Sequence, residues 1–369
     1  MPVKHWGFAG LMLTYWCNAS CASCYLACGP REKRGQERGQ EPFDSSATAD
    51  ERDGAGPPRR EKVPDPFSDD GTEEMSVEQA LGYWAGLQAA SPHGCRIHLS
   101  GGEPFGDWER LIAIARRAQR EGLGPLEKVE TNAYWATDEG LVRERLAALD
   151  AAGMGKLCIS ADPYHQQFVP IERCRLAARV AEELLGAERV QVRWRDWLAE
   201  GFDTGGLDAA ARRELFAGSA ACRRDRFNGR AADLLGDLGE RKPMGEFADS
   251  PCAESLLRGR HVHIDGGGRV MPGTCAGIVL GRADRSSIAE IWRQLDADYA
   301  GRAVVGTLAA AGPVALLDAA RAAGYRPRDS YASKCHLCWE LRRSLAAAGG
   351  YEAELGPMRL YRRPQTARR

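Results

Sequence analysis

The sequence predicts an α/β fold built on a parallel sheet, followed by a small cysteine-rich region. Strands alternate with helices of 10–15 residues between residues 76 and 195, which is typical of βαβ units. The strands carry one polar and one apolar face. Eight of the twelve cysteines fall into two groups, within residues 17–28 and 252–338.

An apolar run over residues 10–16 predicts the first strand. Ser76 is a helix N-cap, because Glu78 and Gln79 follow it in the first turn. Further strands are expected at 96–100, 126–132, 155–160 and 189–195, and helices at 76–90, 107–121, 138–152, 171–186 and 208–221. Asp265-Gly266 between alternating apolar residues indicates a hairpin over 261–272.

The polar residues of these strands should share one face of the sheet. They are His98, Ser100, Glu130, Asn132, Cys158, Ser160, Gln191, Arg193 and Arg195. Parallel strands buried on both faces are normally apolar throughout, and a closed eight-stranded barrel fills its interior with side chains. The pattern therefore favours a wider, incomplete barrel whose polar face surrounds water or a charged ligand. An open sheet with one wetter face is the alternative.

Three cysteines follow the first strand closely, at the spacing Cys-x3-Cys-x2-Cys (Cys17, Cys21, Cys24). Thiolates hold iron–sulfur clusters, and three of them leave one iron of a four-iron cluster open to a small molecule. A second motif, Gly101-Gly102-Glu103-Pro104, follows the strand at 96–100. Its glycines permit close backbone approach to a ligand, and Glu103 adds a carboxylate.

Together these two motifs resemble those of the radical SAM superfamily. The resemblance implies a partial (βα)6 TIM-like barrel and a [4Fe–4S] cluster whose open iron binds S-adenosylmethionine. It further implies that the reduced cluster cleaves this cofactor to methionine and a 5′-deoxyadenosyl radical, which abstracts a substrate hydrogen. Gly101, Gly102 and Glu103 would bind the methionine amino group. Ser23 stands just before the third cysteine, where the family often has an aromatic residue. Tyr25, just after that cysteine, is assigned to the cofactor site.

Ligands of parallel α/β folds gather at the carboxyl ends of the strands. The resemblance assigns Asn132 and Ser160 to the ribose and Arg193 to the methionine carboxylate. Hydrogen bonding behind the ligand is the alternative for all three.

The loop after the fourth predicted strand carries candidate substrate contacts, Asp162, Tyr164 and His165. A polar and aromatic loop at this rim could grip substrate, and His165 could move a proton. A surface or hydrogen-bonded histidine is the alternative for His165.

Residues 1–28 are assigned to the first strand and cluster loop, and residues 75–225 to the rest of the barrel. Only six of the 46 residues in 29–74 are hydrophobic, so this stretch is expected to be a disordered insertion. A linker is expected at 226–250, a cysteine-rich domain at 251–347 and a disordered basic tail within 348–369.

The second cysteine group comprises Cys252, Cys275, Cys335 and Cys338. Four thiolates suit zinc or an iron–sulfur cluster. Their order resembles the SPASM and twitch auxiliary-cluster domains, although four cysteines are too few for a full SPASM domain. The resemblance implies one fully ligated auxiliary [4Fe–4S] cluster, and structural zinc or no metal remain as alternatives.

Composition excludes several classes of function. The net charge of −1 gives no field that would favour nucleic acid or a membrane surface. No apolar run approaches the ~20 residues of a membrane span, and the N-terminus lacks the apolar core of a signal peptide. A cytoplasmic protein is expected, in which cysteines serve as metal ligands or free thiols.

The function expected from the resemblance is oxidative modification or cross-linking of a peptide or protein. An electron donor such as flavodoxin or ferredoxin would be a partner. The first alternative is a radical SAM enzyme acting on a small molecule. The second is a ferredoxin-like electron carrier, because Cys17, Cys21, Cys24 and Cys28 before Pro30 resemble a ferredoxin run. That alternative leaves Gly101-Gly102-Glu103 unexplained.

Overall fold

The computed structural model describes residues 3–30, 74–222 and 224–363. The insertion predicted at 29–74 therefore lies outside the described residues, except for its first two residues and its last one. The final six residues of the predicted tail also lie outside them.

An eight-stranded sheet forms the centre of the described chain, in the order β5-β4-β3-β2-β1-β7-β8-β9. Its strands are β1 (Phe8–Met12), β2 (Arg96–Ser100), β3 (Leu126–Thr131), β4 (Lys156–Ile159), β5 (Val190–Val192), β7 (His261–Ile264), β8 (Arg269–Pro272) and β9 (Gly281–Arg282). The first five strands and β7 run parallel to one another, whereas β8 pairs antiparallel with both β7 and β9. A separate antiparallel pair joins β6 (Lys242–Pro243) to β10 (Ser330–Tyr331). The predicted α/β class with a parallel sheet is confirmed.

The first six helices separate or follow the parallel strands. They are α1 (Val77–Ala90), α2 (Trp108–Arg120), α3 (Glu139–Ala151), α4 (Ile171–Leu185), α5 (Arg195–Glu200) and α6 (Ala209–Ala221). All the predicted helices in this part begin and end within one residue of expectation. At α1 the Ser76 hydroxyl accepts from Gln79 N–H, and the Gln79 side chain accepts from Ser76 N–H. This reciprocal capping box satisfies two backbone donors that the helix leaves unpaired.

Seven more α-helices lie in the rest of the described chain. They are α7 (Arg230–Leu234), α8 (Ala253–Leu256), α9 (Ile288–Asp298), α10 (Val305–Ala310), α11 (Leu317–Ala322), α12 (Lys334–Ala348) and α13 (Met358–Tyr361). No helix in the described ranges is both long and apolar enough to cross a membrane.

The sixth parallel strand does not extend the sheet beyond β5. The segment after β5 forms helices and turns, and the chain returns to pair β7 with the free edge of β1. The predicted hairpin over 261–272 is present as β7 and β8, but it belongs to the main sheet. The main sheet therefore contains strands from both sides of the boundary expected at residue 251.

Two strands end earlier than expected for local reasons. The first strand ends at Met12, because the chain turns towards the loop that carries the cysteines. The strand expected at 189–195 ends at Val192, and Arg195 begins α5. Arg195 consequently points to solvent and pairs with Glu182 at 2.8 Å, away from the polar face on which it was expected.

Part of the expected C-terminal tail is folded. Tyr361 is fully buried and stacks on Trp339, with ring centroids 4.9 Å apart. Its hydroxyl donates to Gly277 O and accepts from the buried Arg342 guanidinium. These contacts offset the chain entropy that the charged composition of the tail suggested would dominate.

Candidate functional site

A cavity opens at the carboxyl ends of β2 to β5, where the sequence analysis expected a ligand. Seven of the ten residues assigned to cofactor or substrate line it, namely Tyr25, Gly101, Gly102, Asn132, Ser160, His165 and Arg193. The three cysteines of the first motif line the same cavity, and so does Cys28. The structure therefore brings together residues that lie up to 176 positions apart, from Cys17 to Arg193.

The cysteines lie on a loop whose two ends meet beside the sheet. Cys17 N–H donates to Gly29 O at 2.9 Å, and Gly29 N–H donates to Tyr15 O at 3.3 Å. These bonds close the loop, so that its thiols face one wall of the cavity. Cys28 is 2% exposed and lies against Cys24. The sequence analysis gave Cys28 a role only in the ferredoxin-like alternative.

The thiols influence one another electrostatically. Burial raises the pKa of Cys17 well above its usual value, and the nearby Glu103, Cys21 and Cys24 raise it further. The hydrogen bond from Cys28 instead lowers the pKa of Cys24 to about 5, although burial opposes that shift. The loop thus concentrates acidic groups in a buried place, an arrangement that a bound metal centre would stabilise.

Arg230 holds the cysteine loop from the other side. Its guanidinium donates to Cys21 O at 3.0 Å and to Cys28 O at 2.6 Å, and its backbone N–H donates to Cys24 O at 3.0 Å. The segment expected to be a linker therefore supplies a support of the site. The sequence offers no signal that separates Arg230 from the other arginines nearby.

The two glycines of the second motif are required by backbone packing. A Cβ on Gly101 would lie 2.4 Å from Thr14 O, and one on Gly102 would lie 1.8 Å from Trp16 O. Gly102 N–H also donates to Thr14 O at 2.7 Å. The sequence analysis expected these glycines to admit a ligand, whereas their tightest contacts are with the chain that leads into the cysteine loop.

Glu103 lies behind the cavity wall and does not line it. It is completely buried, and its carboxylate accepts hydrogen bonds from Phe105 N–H, the Thr131 hydroxyl and Asn132 N–H at 3.2, 2.8 and 2.7 Å. Burial raises the pKa of Glu103 to about 7, despite the opposing effect of these donors. Glu103 therefore fixes the end of β3 from behind the residues that line the cavity.

The hydrogen bond to Glu103 places Asn132 beside the cysteine loop. Its side-chain amide donates to Asn18 Oδ1 at 2.8 Å and lies 3.5 Å from Cys17 Sγ. The cavity wall beside it includes Thr131 and Glu130, neither of which was assigned to the site. The end of β3 is thus tied both to the Gly-Gly turn and to the cysteine loop.

His165 faces the cavity from the loop after β4. Asp162 is completely buried, and its Oδ2 atom lies 2.8 Å from His165 Nδ1. The Asp162 carboxylate also accepts a hydrogen bond from the His165 backbone N–H. Burial lowers the pKa of His165, but Asp162 and Cys21 outweigh burial and raise it well above its usual value. Asp162 therefore orients and charges His165, although it does not line the cavity itself.

Arg193 and Tyr164 have contrasting positions. Arg193 lines the cavity, forms an ion pair with Asp225 and lies 3.9 Å from Asp162. Tyr164 is completely buried and packs its ring on Phe216 at 4.8 Å. Tyr164 thus packs in the core beneath the loop and is not among the residues that line the cavity.

The second cysteine group also comes together. Cys252 precedes α8, Cys275 follows β8, and Cys335 and Cys338 lie in the first turn of α12. Burial, and after it the three other thiols, raise the pKa of Cys335 to about 12.

The fully buried guanidinium of Arg342 lies beside this group, close to Cys338 and Cys275. It also donates to Ala276 O and Asn228 Oδ1. A buried cation next to thiols favours their anionic, metal-binding form.

Comparison with known proteins gives a limited result. No family model matches the chain, and no curated protein matches it. The chain is similar to a histidine-tagged form of anSMEcpe with bound AdoMet, with 12% identity, a TM-score of 0.38 and coverage of 78% of this chain and 77% of that one. It is also similar to native anSMEcpe with bound AdoMet and a peptide, with 11% identity, a TM-score of 0.40 and coverage of 81% and 83%. TM-scores this low leave the function to be argued from the site itself.

Arg230→Met should loosen the cysteine loop. Two hydrogen bonds from a charged donor would be lost, and each such bond is worth ~1.5–3 kcal/mol. We expect amide hydrogen exchange across residues 17–28 to accelerate at least ~10-fold, which corresponds to ~1.4 kcal/mol. Arg224→Met is the matched control, because Arg224 makes an exposed ion pair with Asp196. Unchanged exchange in Arg230→Met would show that the loop is held by other contacts.

Proposed function

We propose that this protein is a radical SAM enzyme. A [4Fe–4S] cluster is held by Cys17, Cys21 and Cys24, and S-adenosylmethionine binds beside it in the cavity. The observation that carries the proposal is a single cavity lined by these three thiols, by Gly101-Gly102 and by polar groups at the ends of three neighbouring strands.

The residues present fit these groups. The donor set is three thiols from one loop, with polar side chains on the facing wall. The hydroxyls of Ser23, on the cysteine loop, and of Ser100, on the facing wall, are buried and have no hydrogen-bond partner among the described residues. Buried polar groups in folded proteins normally have partners, so a bound ligand would account for both hydroxyls.

The cluster and S-adenosylmethionine, when bound, supply one-electron reductive cleavage of the cofactor. The chain supplies position and charge. Arg193 offers a guanidinium to a carboxylate, and its partners Asp162 and Asp225 fix its place. The backbone hydrogen bond from Asn132 to Glu103 fixes Asn132 in the cavity wall. His165, held by Asp162, can take up or release a proton at the cavity rim.

Cleavage of S-adenosylmethionine should depend on the first cysteine group. Anaerobically purified protein with dithionite and S-adenosylmethionine should release 5′-deoxyadenosine, and the triple variant Cys17→Ala/Cys21→Ala/Cys24→Ala should release none. Cys222→Ala, at an exposed cysteine, is the control and should keep full activity. Persistent cleavage in the triple variant would refute the assignment. Electron cycling by the wild-type protein without any cleavage would favour the ferredoxin-like class.

We also propose a second, fully ligated [4Fe–4S] cluster at Cys252, Cys275, Cys335 and Cys338. The mutual influence of these four thiols and the buried cation of Arg342 support a metal centre there. Such a cluster could bind substrate or accept the electron that remains after hydrogen abstraction, which suits a net oxidation.

The two cysteine groups should load independently. The triple variant of the first group should retain about four irons per chain, the content of one cluster. A quadruple alanine variant of the second group should keep the first cluster and its signal in electron paramagnetic resonance. Zinc in place of iron in the triple variant would establish a structural zinc site instead.

For the substrate we propose a peptide or protein side chain, with a flavodoxin or ferredoxin as electron donor. Support comes from the resemblance of the second cysteine group to auxiliary-cluster domains. Phe168 adds to it, because its ring is exposed on the same loop as His165, where it could contact a substrate side chain.

The substrate class can be tested by coexpression with short peptides encoded beside the gene. A net oxidation should remove two hydrogen atoms from one peptide, and mass spectrometry would detect the loss. His165→Gln should abolish the change, whereas His93→Gln, at an exposed histidine, should not. If all peptides stay unmodified and the enzyme consumes a small molecule instead, the substrate is a small molecule and the peptide proposal is wrong.

A further inference from the structure

Three histidines converge on the polar face of the sheet, below the cavity. They are His98 on β2 and His261 and His263 on β7. Neither the proposed radical chemistry nor the cysteine groups use them. The sequence signal that could have found them is the alternation His261-Val262-His263, which puts two imidazoles on one face of a strand.

Strand register explains why the three side chains meet. Gly10 on the central strand β1 is paired with His98 on one side and with His263 on the other. Directly paired residues point to the same face of a sheet, and His261 shares that face because it lies two residues before His263. Gly10 leaves the space between them open, since a Cβ there would lie 2.4 Å from both rings.

The ring nitrogens lie at nearly the spacing of metal ligands. One nitrogen from each imidazole falls within 4.8 Å of the other two, and His98 Nε2 lies 3.0 Å from His261 Nε2. Two nitrogens bound at ~2.0–2.1 Å to a tetrahedral ion lie ~3.3 Å apart, so that pair already has almost the right separation. A hydrogen bond between the two rings would explain this one pair but not the approach of His263.

Glu130 supports the far side of the cluster. Its carboxylate lies 3.3 Å from His98 Nδ1, the nitrogen that faces away from His261, and 2.7 Å from Lys128 Nζ. Histidines that bind metal typically offer their other ring nitrogen to a carboxylate, which fixes the ring and makes the ligand more basic. The charge of Lys128 is balanced by the same carboxylate, so it does not stand alone beside the site.

The three rings are also packed as a preformed site requires. His98 and His263 are each 2% exposed, and His261 is half-buried at the amino end of β7, where an ion could enter. Phe8 stacks on His98 and packs at a tilt against His261, with centroid distances of 4.8 and 4.7 Å, which restricts the orientation of both rings.

We propose that His98, His261 and His263 bind one divalent first-row transition-metal ion of the zinc type, with Glu130 as the residue that orients His98. Imidazole nitrogens suit zinc, and three protein ligands leave a fourth position for water or another small ligand. This site does not depend on the proposed radical chemistry, because it shares no ligand with either cysteine group.

The test uses the full chain with its cysteine sites first filled by anaerobic treatment with iron and sulfide. After a chelating wash, the protein is incubated with Zn2+, separated from weakly bound metal and examined by mass spectrometry and zinc-edge X-ray absorption. We expect about one zinc per chain, surrounded by nitrogen or oxygen atoms at ~2.0–2.1 Å, with imidazole scattering and no sulfur. Glu130→Gln should weaken zinc binding ~10–100-fold.

Variants locate the ion. His98→Gln and His263→Gln should each lose the zinc, and the matched control His93→Gln should keep it. Sulfur ligands at ~2.3 Å would place the ion on the cysteines and overturn the proposal. Equal zinc retention in all the variants would overturn it too, as would no retention by the wild type, which would leave only hydrogen-bonded imidazoles. The wild-type absorption spectrum decides the matter even if a variant fails to fold.

Discussion

The close backbone contact between residues 14–16 and Gly101-Gly102 is the constraint on which the site depends. No side chain fits there, because Cβ atoms on these glycines would strike Thr14 O and Trp16 O. The contact sets the end of β1 against the turn after β2, so the cysteine loop that follows β1 must lie over the carboxyl ends of β2 and β3. Glu103, the next residue, then carries the constraint to Asn132 through one backbone hydrogen bond. One turn thus aligns the thiols with the polar ends of the strands.

Charge burial around the cavity follows a consistent rule. Asp162, Asp225 and Arg193 are grouped, as are Arg342 and the second set of thiols, so each buried charge has an opposite charge or several donors close by. Removing one partner from such a group leaves an uncompensated charge, which costs more than the pair contributes. Glu103 belongs to the second kind, since its carboxylate accepts hydrogen bonds from three neutral groups. Burial outweighs these donors and raises the pKa of Glu103 to about 7.

The sequence predicted the features that depend on local pattern and missed those that depend on contacts between residues far apart in the chain. Helix ends followed from caps such as Ser76, and the contents of the cavity followed from motifs at strand ends. Arg230 could not be singled out, because its role rests on three carbonyls some two hundred residues away. The pairing of β7 with β1 was not predicted, because the periodicity of apolar residues identifies strands but does not say which strands are neighbours. The burial of Tyr164 could not be foreseen, because an aromatic residue in a polar loop gives the same pattern whether it faces ligand or core.

Depth along the strands separates the two candidate sites on the polar face. Residues two positions apart on one strand lie ~7 Å apart and point the same way, so β2 gives His98 to the histidine cluster and Ser100 to the cavity. Glu130 belongs to both, since it contacts His98 Nδ1 and lines the cavity. Tyr25 from the cysteine loop also approaches His263, with ring centroids 6.3 Å apart. An ion on the histidines would therefore add positive charge below the cavity. Glu130, which contacts His98 and lines the cavity, would connect the two sites. The charge of one site would then be felt at the other without any movement of the sheet.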